Sequence, residues 1–222
     1  MNRSHAMTMP ADPHAADTRP VILVGMMGAG KTTVGRRLAT RLGRRFVDAD
    51  RVLEERCGVT VSTIFELEGE QGFRRRERAL LAELAASAGI VLATGGGAVL
   101  DEENRALLRD SGFVVYLNAS AADLWLRLRR DRTRPLLQTA DPRRQIERLL
   151  TERDPLYRSV AHLVVQSARQ PIDELVLHLI GLLPPGILLS QSDQTQGDAQ
   201  TGVRTGEQID NRRMDGQGDE GQ

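Results

Sequence analysis

The sequence predicts an α/β fold, a five-stranded parallel sheet flanked by helices, and three observations predict it. Four short runs are continuously apolar instead of alternating, which is how strands covered on both faces read, Val21–Val24, Ile90–Ala93, Phe113–Leu117 and Leu163–Val165, and Arg45-Phe46-Val47 reads as a further short strand. Stretches with helical spacing of apolar residues lie between most of them, as βαβ crossovers require. The stretch Gly25-Met26-Met27-Gly28-Ala29-Gly30-Lys31-Thr32 follows the first run directly and opens the first helix. It fits G-x-x-x-x-G-K-[ST], in which glycines let backbone N–H groups close around a phosphate.

Bulk properties narrow the choices before any motif is weighed. With 222 residues, 40% apolar and 27% charged, the chain can bury one good core. Thirty basic and thirty acidic side chains cancel, so nothing global attracts nucleic acid or an anionic membrane surface, and any anion site is local. Cys57 is the only cysteine, which excludes an internal disulfide and a thiolate zinc cage and suits a reducing cytoplasm. No window approaches the length of a transmembrane helix. Residues 1–19 carry prolines and scattered polar groups without an apolar segment and read as a disordered leader. Residues 184–222 open on Pro184-Pro185-Gly186 and continue with Gly, Gln, Asp and Arg, too little apolar content to offset ordering entropy, and read as a disordered tail. The folded domain is expected over residues 20–183.

Taken in order, Thr33 to Leu42 is an amphipathic helix whose N-terminus would face a phosphate bound in the loop, with Gly28, Ala29 and Gly30 supplying amides. Lys31 would reach the β/γ-phosphates and the Thr32 hydroxyl would meet Mg²⁺. Asp48 closes the second strand, where open α/β sheets collect ligands, and is a second oxygen donor for that metal. Asp50, two residues on, is either a helix cap or a contact to a second substrate. From Thr60 to Ala86 the pattern is helical and broken around Gly69 and Gly72. Within it Arg74, next to Phe73, is the arginine of Arg74-Arg75-Arg76-Glu77-Arg78 that faces inward.

The third strand runs into Gly95-Gly96-Gly97, either a tight turn or a place where a small substrate lies on bare backbone. Helices are expected over Ala121–Arg130, Arg143–Arg153 and Ile172–Leu183. The charged segment between the first two, poor in core residues, reads as a lid bearing Arg134, which Pro135 biases out of helix. An arginine brought onto a γ-phosphate by lid closure would stabilise transition-state charge. Arg153 precedes Asp154-Pro155, where a helix should end; there it complements the helix dipole or grips a carboxylate.

Together these pieces resemble shikimate kinase, a P-loop kinase family of the nucleoside-monophosphate-kinase-like group. The likeness spans about Pro20 to Leu183. It rests on Gly25–Thr32, Asp-Ala-Asp at Asp48–Asp50, Glu-Gly-Glu-Gln-Gly-Phe-Arg at Glu68–Arg74, Gly-Gly-Gly-Ala-Val at Gly95–Val99, Arg-Pro-Leu-Leu at Arg134–Leu137 and Arg-Asp-Pro-Leu-Tyr at Arg153–Tyr157. The resemblance implies phosphoryl transfer from ATP to the 3-hydroxyl of shikimate in the route to chorismate and aromatic amino acids. It implies a cytoplasmic enzyme, a monomer with one Mg²⁺ per subunit, and no nucleic-acid or membrane partner. Asp50, Arg74, Gly95, Gly96, Gly97 and Arg153 would then bind shikimate. Gly28, Ala29, Gly30, Lys31, Thr32, Thr33, Arg127, Arg134 and Pro171 would bind ATP, with Arg127 and Pro171 at the adenine. Lys31, Asp50 and Arg134 would be catalytic, and Thr32 and Asp48 would hold the metal. A kinase for another small hydroxy acid such as gluconate, and a nucleotide-binding module without turnover, are the rival readings.

Overall fold

In a computed structural model of the chain, the structure describes residues 17–131, 135–168 and 170–188. The strands are β1 (Val21–Val24), β2 (Arg45–Asp48), β3 (Ile90–Ala93), β4 (Phe113–Asn118) and β5 (Leu163–Gln166). The helices are α1 (Lys31–Leu42), α2 (Ala49–Cys57), α3 (Val61–Ala85), α4 (Glu102–Ser111), α5 (Ala121–Leu128), α6 (Pro142–Val160), α7 (Ile172–Leu182) and α8 (Pro185–Leu188), with 3₁₀ turns at Ala98–Leu100 and Pro135–Leu137.

All five strands are parallel, in the order β2-β3-β1-β4-β5. Strand β1 lies in the middle and is fully buried, as its uninterrupted Val-Ile-Leu-Val predicts. The chain leaves β1 toward β2 on one side and leaves β3 toward β4 on the other. That reversal opens a crevice at the carboxyl ends of β1 and β3, and it brings the residues after β1, β2 and β3 to one rim.

Several expectations are corrected. Helix α4 is absent from the sequence reading, although Asp101 accepts from the Asn104 amide at 3.0 Å and Glu102 and Glu103 fill the first turn, a full set of start signals. Helix α6 does not stop before Pro155 but continues to Val160. Losing the bond to the Thr151 carbonyl costs about 3 kcal/mol. Burying Tyr157 and Val160 beyond it returns about 1.5–3 kcal/mol for each side chain, enough to keep the helix going. Helix α3 departs from helical geometry only at Gly69 (φ 68°, ψ −179°); Gly72 is helical. Ordered structure also extends past both expected domain limits. The Asp17 amide donates to the Gly186 carbonyl at 2.8 Å, Arg44 donates to the carbonyls of Asp17, Arg19 and Ile187, and Ile187 is buried.

Candidate active site

The first wall of the site is the Gly25–Thr32 loop. The Ala29 amide bonds the Met26 carbonyl at 3.1 Å, closing the loop on itself, and the Val34 amide bonds the Gly30 carbonyl at 2.8 Å as the first turn of α1. Helix α1 has Gly30 at its cap and no side chain there, which leaves its first-turn amides for an anion. The Lys31 ammonium donates to the carbonyls of Gly25 and Met26 at 2.8 and 3.0 Å, arched over the loop. The Thr32 hydroxyl donates to Asp48 Oδ2 at 2.7 Å. Two hard oxygen donors therefore stand side by side at the loop's edge. Among the described residues no group of three or more His, Cys, Asp or Glu is arranged to hold a metal ion. A cation bound here would take few protein ligands and complete its shell with phosphate and water, which is the habit of magnesium.

These residues line a cleft of about 430 Å³ that also takes in Thr33, Asp50, Thr94, Gly96, Arg127 and Ser167. Arg127, in the last turn of α5, donates to the Gly28 carbonyl at 2.9 Å and to the Ser167 carbonyl at 2.8 Å, tying the phosphate loop to the segment after β5. Pro171 is exposed and does not line the cleft; it serves as the N-cap residue of α7, and the wall expected of it is formed by Ile172 and Leu175. Arg134 lies outside the described residues.

A second cavity of about 140 Å³ adjoins the first and shares Met27, Asp50 and Gly96 with it. Its polar lining is Asp50, Arg74, Glu77 and Arg153, and its floor is Gly95–Gly97. Each of the three glycines admits something close. A Cβ on Gly97 would stand 2.4 Å from an Arg74 guanidinium nitrogen; one on Gly95 would stand 2.8 Å from Glu77 Oε1 and 2.9 Å from Asp50 Oδ1; one on Gly96 would stand 3.3 Å from the Met27 amide. The triplet is therefore more than a turn. It lets two carboxylates, a guanidinium and the phosphate loop meet over bare backbone.

Arg153, 4% exposed in mid-helix, donates to the Gly96 carbonyl at 3.2 Å, and Tyr157 donates to the same oxygen at 2.5 Å. Desolvation pushes the Tyr157 hydroxyl up to about 12, so it remains a donor. The dipole role considered for Arg153 fails, because α6 runs on past it. Asp50 lies in the first turn of α2, whose N-cap residue is Asp48.

Glu77 was not singled out from the sequence. It is 3% exposed and accepts from Arg74 at 2.5 Å, holding that guanidinium against Gly97. Burial raises the pKa of its carboxyl and the nearby Arg74 opposes the rise. A spacing of three on one helix from Arg74 was the available signal. Ser167 was missed as well. Among the described residues four buried side-chain atoms lack a hydrogen-bond partner, and three of them, Glu77 Oε1, Arg153 Nε and Ser167 Oγ, belong to residues lining these cavities; the fourth, Asn104 Oδ1, does not. Buried polar atoms are otherwise nearly always paired, so the three at the cavities mark surfaces built to meet a ligand.

Fold and paired cavities define a P-loop phosphotransferase that acts on a small molecule: a phosphate-binding compartment opens onto a compact one lined by two arginines and two carboxylates. The family model described as shikimate kinase matches residues 27–184. A shikimate kinase of Bordetella avium (strain 197N) is 59% identical over 157 residues, covering 71% of this chain and 75% of that protein. One from Nitrosospira multiformis is 57% identical over 155 residues, covering 70% and 80%. The structure of shikimate kinase from Acinetobacter baumannii in complex with shikimate superposes with a TM-score of 0.72 at 46% identity, covering 74% of this chain and 92% of that one. The chain belongs to the shikimate kinase family.

Proposed function

We propose that this chain transfers the γ-phosphoryl group of ATP to the 3-hydroxyl of shikimate, giving shikimate 3-phosphate and ADP, in the route to chorismate and the aromatic amino acids. The observation that carries the proposal is the junction of the two cavities at Asp50, Gly96 and Met27, where a donor phosphate and an acceptor hydroxyl can face one another. ATP lies in the larger cleft, its phosphates on the amides of Gly28–Thr33 and its base between Arg127 and the Ile172–Leu175 wall. The acceptor lies in the smaller one. Arg74 and Arg153 take the shikimate carboxylate, since planar guanidinium forks match a carboxylate and the Arg153 Nε donor is buried and free to give.

Asp50 receives the hydroxyl. It is the carboxylate common to both compartments, placed to orient the nucleophile and accept its proton as the bond to phosphorus forms. Phosphoryl transfer passes through a loose transition state, so the residues act by positioning and charge. On this reading Lys31 leaves the loop carbonyls to meet the β/γ-phosphates, and Arg134 arrives with the lid to neutralise the transferring group and exclude water. Thr32 and Asp48 would hold one Mg²⁺, which when bound screens the phosphate charges. We read the enzyme as a cytoplasmic monomer; among the described residues no helix is long and apolar enough to cross a membrane.

A coupled ADP-release assay with MgATP tests the reading. Release should depend on shikimate and be absent with gluconate. Equal turnover of gluconate would assign the smaller cavity to another hydroxy acid, and no turnover with any acceptor would favour a nucleotide-binding module.

A further inference from the structure

Helix α3 is bent so that both of its limbs line the acceptor cavity. Val61 and Phe65 come from the limb before Gly69; Phe73, Arg74 and Glu77 come from the limb after it. In an unbroken helix, residues eight apart are separated by about 12 Å along the axis, too far for two rings leaning the same way to stack. Here the rings of Phe65 and Phe73 stack with centroids 4.4 Å apart. The backbone of Gly69, with positive φ and extended ψ, is a conformation that side chains with a Cβ do not tolerate, and it makes the bend.

Something must hold the first limb at that angle. Across the bend, Arg76 Nε donates to Glu68 Oε2 at 2.8 Å and its terminal nitrogen to Glu68 Oε1 at 2.7 Å, a two-pronged pair. Gly72 lets it close, since a Cβ there would stand 2.4 Å from the Glu68 Cβ. Arg76 also reaches the Cys57 sulfur at 3.8 Å, at the end of α2, while Glu54 on the same helix accepts the Val61 amide at 3.0 Å. Arg76 thus ties three segments together, although neither it nor Glu68 lines either cavity. Partly exposed ion pairs are usually weak, but two-pronged geometry is the exception.

We propose that Glu68 and Arg76 form a clamp across the Gly69 bend that sets the Val61–Phe65 wall of the acceptor cavity, making both of them positioning residues for shikimate and not for ATP. The inference rests on the proposed function. Its test measures KM for shikimate and for ATP, with kcat, in the full-length parent and in Glu68→Gln, Arg76→Met, the double variant and Arg76→Lys, with thermal melts to show that each is folded.

Each single removal should raise KM for shikimate about threefold to tenfold, and the double should be no worse than either single, because one interaction is lost in all three. Arg76→Lys should fall in between, since an ammonium gives one prong for two. KM for ATP and kcat should stay within about twofold. An unchanged KM for shikimate in Arg76→Met, fully additive effects in the double, or an equal rise in KM for ATP would each overturn the clamp. A parent that does not turn over shikimate would overturn the proposed function and the clamp with it; an active parent with indifferent variants would overturn the clamp alone.

Discussion

The nucleotide compartment and the acceptor compartment are built on opposite plans. The first is one local motif: eight consecutive residues, Gly25 to Thr32, closed by the bond from the Ala29 amide to the Met26 carbonyl and running directly into α1. Side chains from elsewhere complete its walls around that motif: Asp48 accepts from Thr32, Arg127 bonds the Gly28 carbonyl, and Ile172 and Leu175 line the cleft. The second has no local motif. Asp50 comes from α2, Arg74 and Glu77 from α3, the glycines from the end of β3 and Arg153 from α6, and the triplet Gly95–Gly97 is where they converge. A backbone-built site withstands surface change because its donors are amides. A side-chain-built site depends on what holds each side chain, so it should fail piecemeal, at one substrate and not the other.

That contrast can be broken at several points. The largest effect is expected for Arg134→Ala, which on the proposed function should lower kcat about 10³-fold or more; near-normal turnover would remove the arginine from the lid role proposed for it. Asp50→Asn should lower shikimate phosphorylation about 10²-fold to 10⁴-fold while ATP affinity, read by titration, is kept. An equal loss of ATP affinity would move Asp50 to the donor side. Glu77→Gln retains the shape of the side chain but loses the charge that anchors Arg74, so KM for shikimate should rise about tenfold with KM for ATP unmoved.

The smallest effect lies far from both compartments. The neutral His162 ring accepts the Val114 amide at 3.0 Å, and burial, with help from Arg109 and Arg19, lowers its pKa. Because the folded-state value lies below the unfolded one, His162 contributes stability above that unfolded value, and the contribution is lost as pH falls through the folded one. Thermal midpoints measured from about pH 7 down to about pH 5 should therefore drift down in the parent and drift less in His162→Gln.

The same contrast explains what the sequence made legible. Four apolar runs and one loop motif were readable because their signals are contiguous, and β1 through the start of α1 follows from them directly. Arg74 was readable as the inward member of its charged run because Phe73 marks the buried face. Glu77 was not: a buried glutamate inside Arg-Arg-Arg-Glu-Arg looks like any solvated charge until Gly97 is seen to leave room for its partner. Pro155 misplaced the end of α6, because a proline rule weighs one lost hydrogen bond and cannot see Tyr157 packed on Tyr116 at 5.0 Å with its hydroxyl on Gly96. Gly72 was mistaken for a break for a similar reason; it is bare to admit Glu68, not to bend the chain.

Gly97→Ala bears most directly on the division of the molecule into a backbone-built donor site and a side-chain-built acceptor site. The added methyl would meet the far end of a flexible arginine, so the fold should survive while the Arg74 guanidinium is driven from its place. Titration of the folded variant should show MgATP binding close to that of the parent and shikimate binding weakened about tenfold or more. Undiminished shikimate binding, or a parallel loss of both ligands, would contradict it.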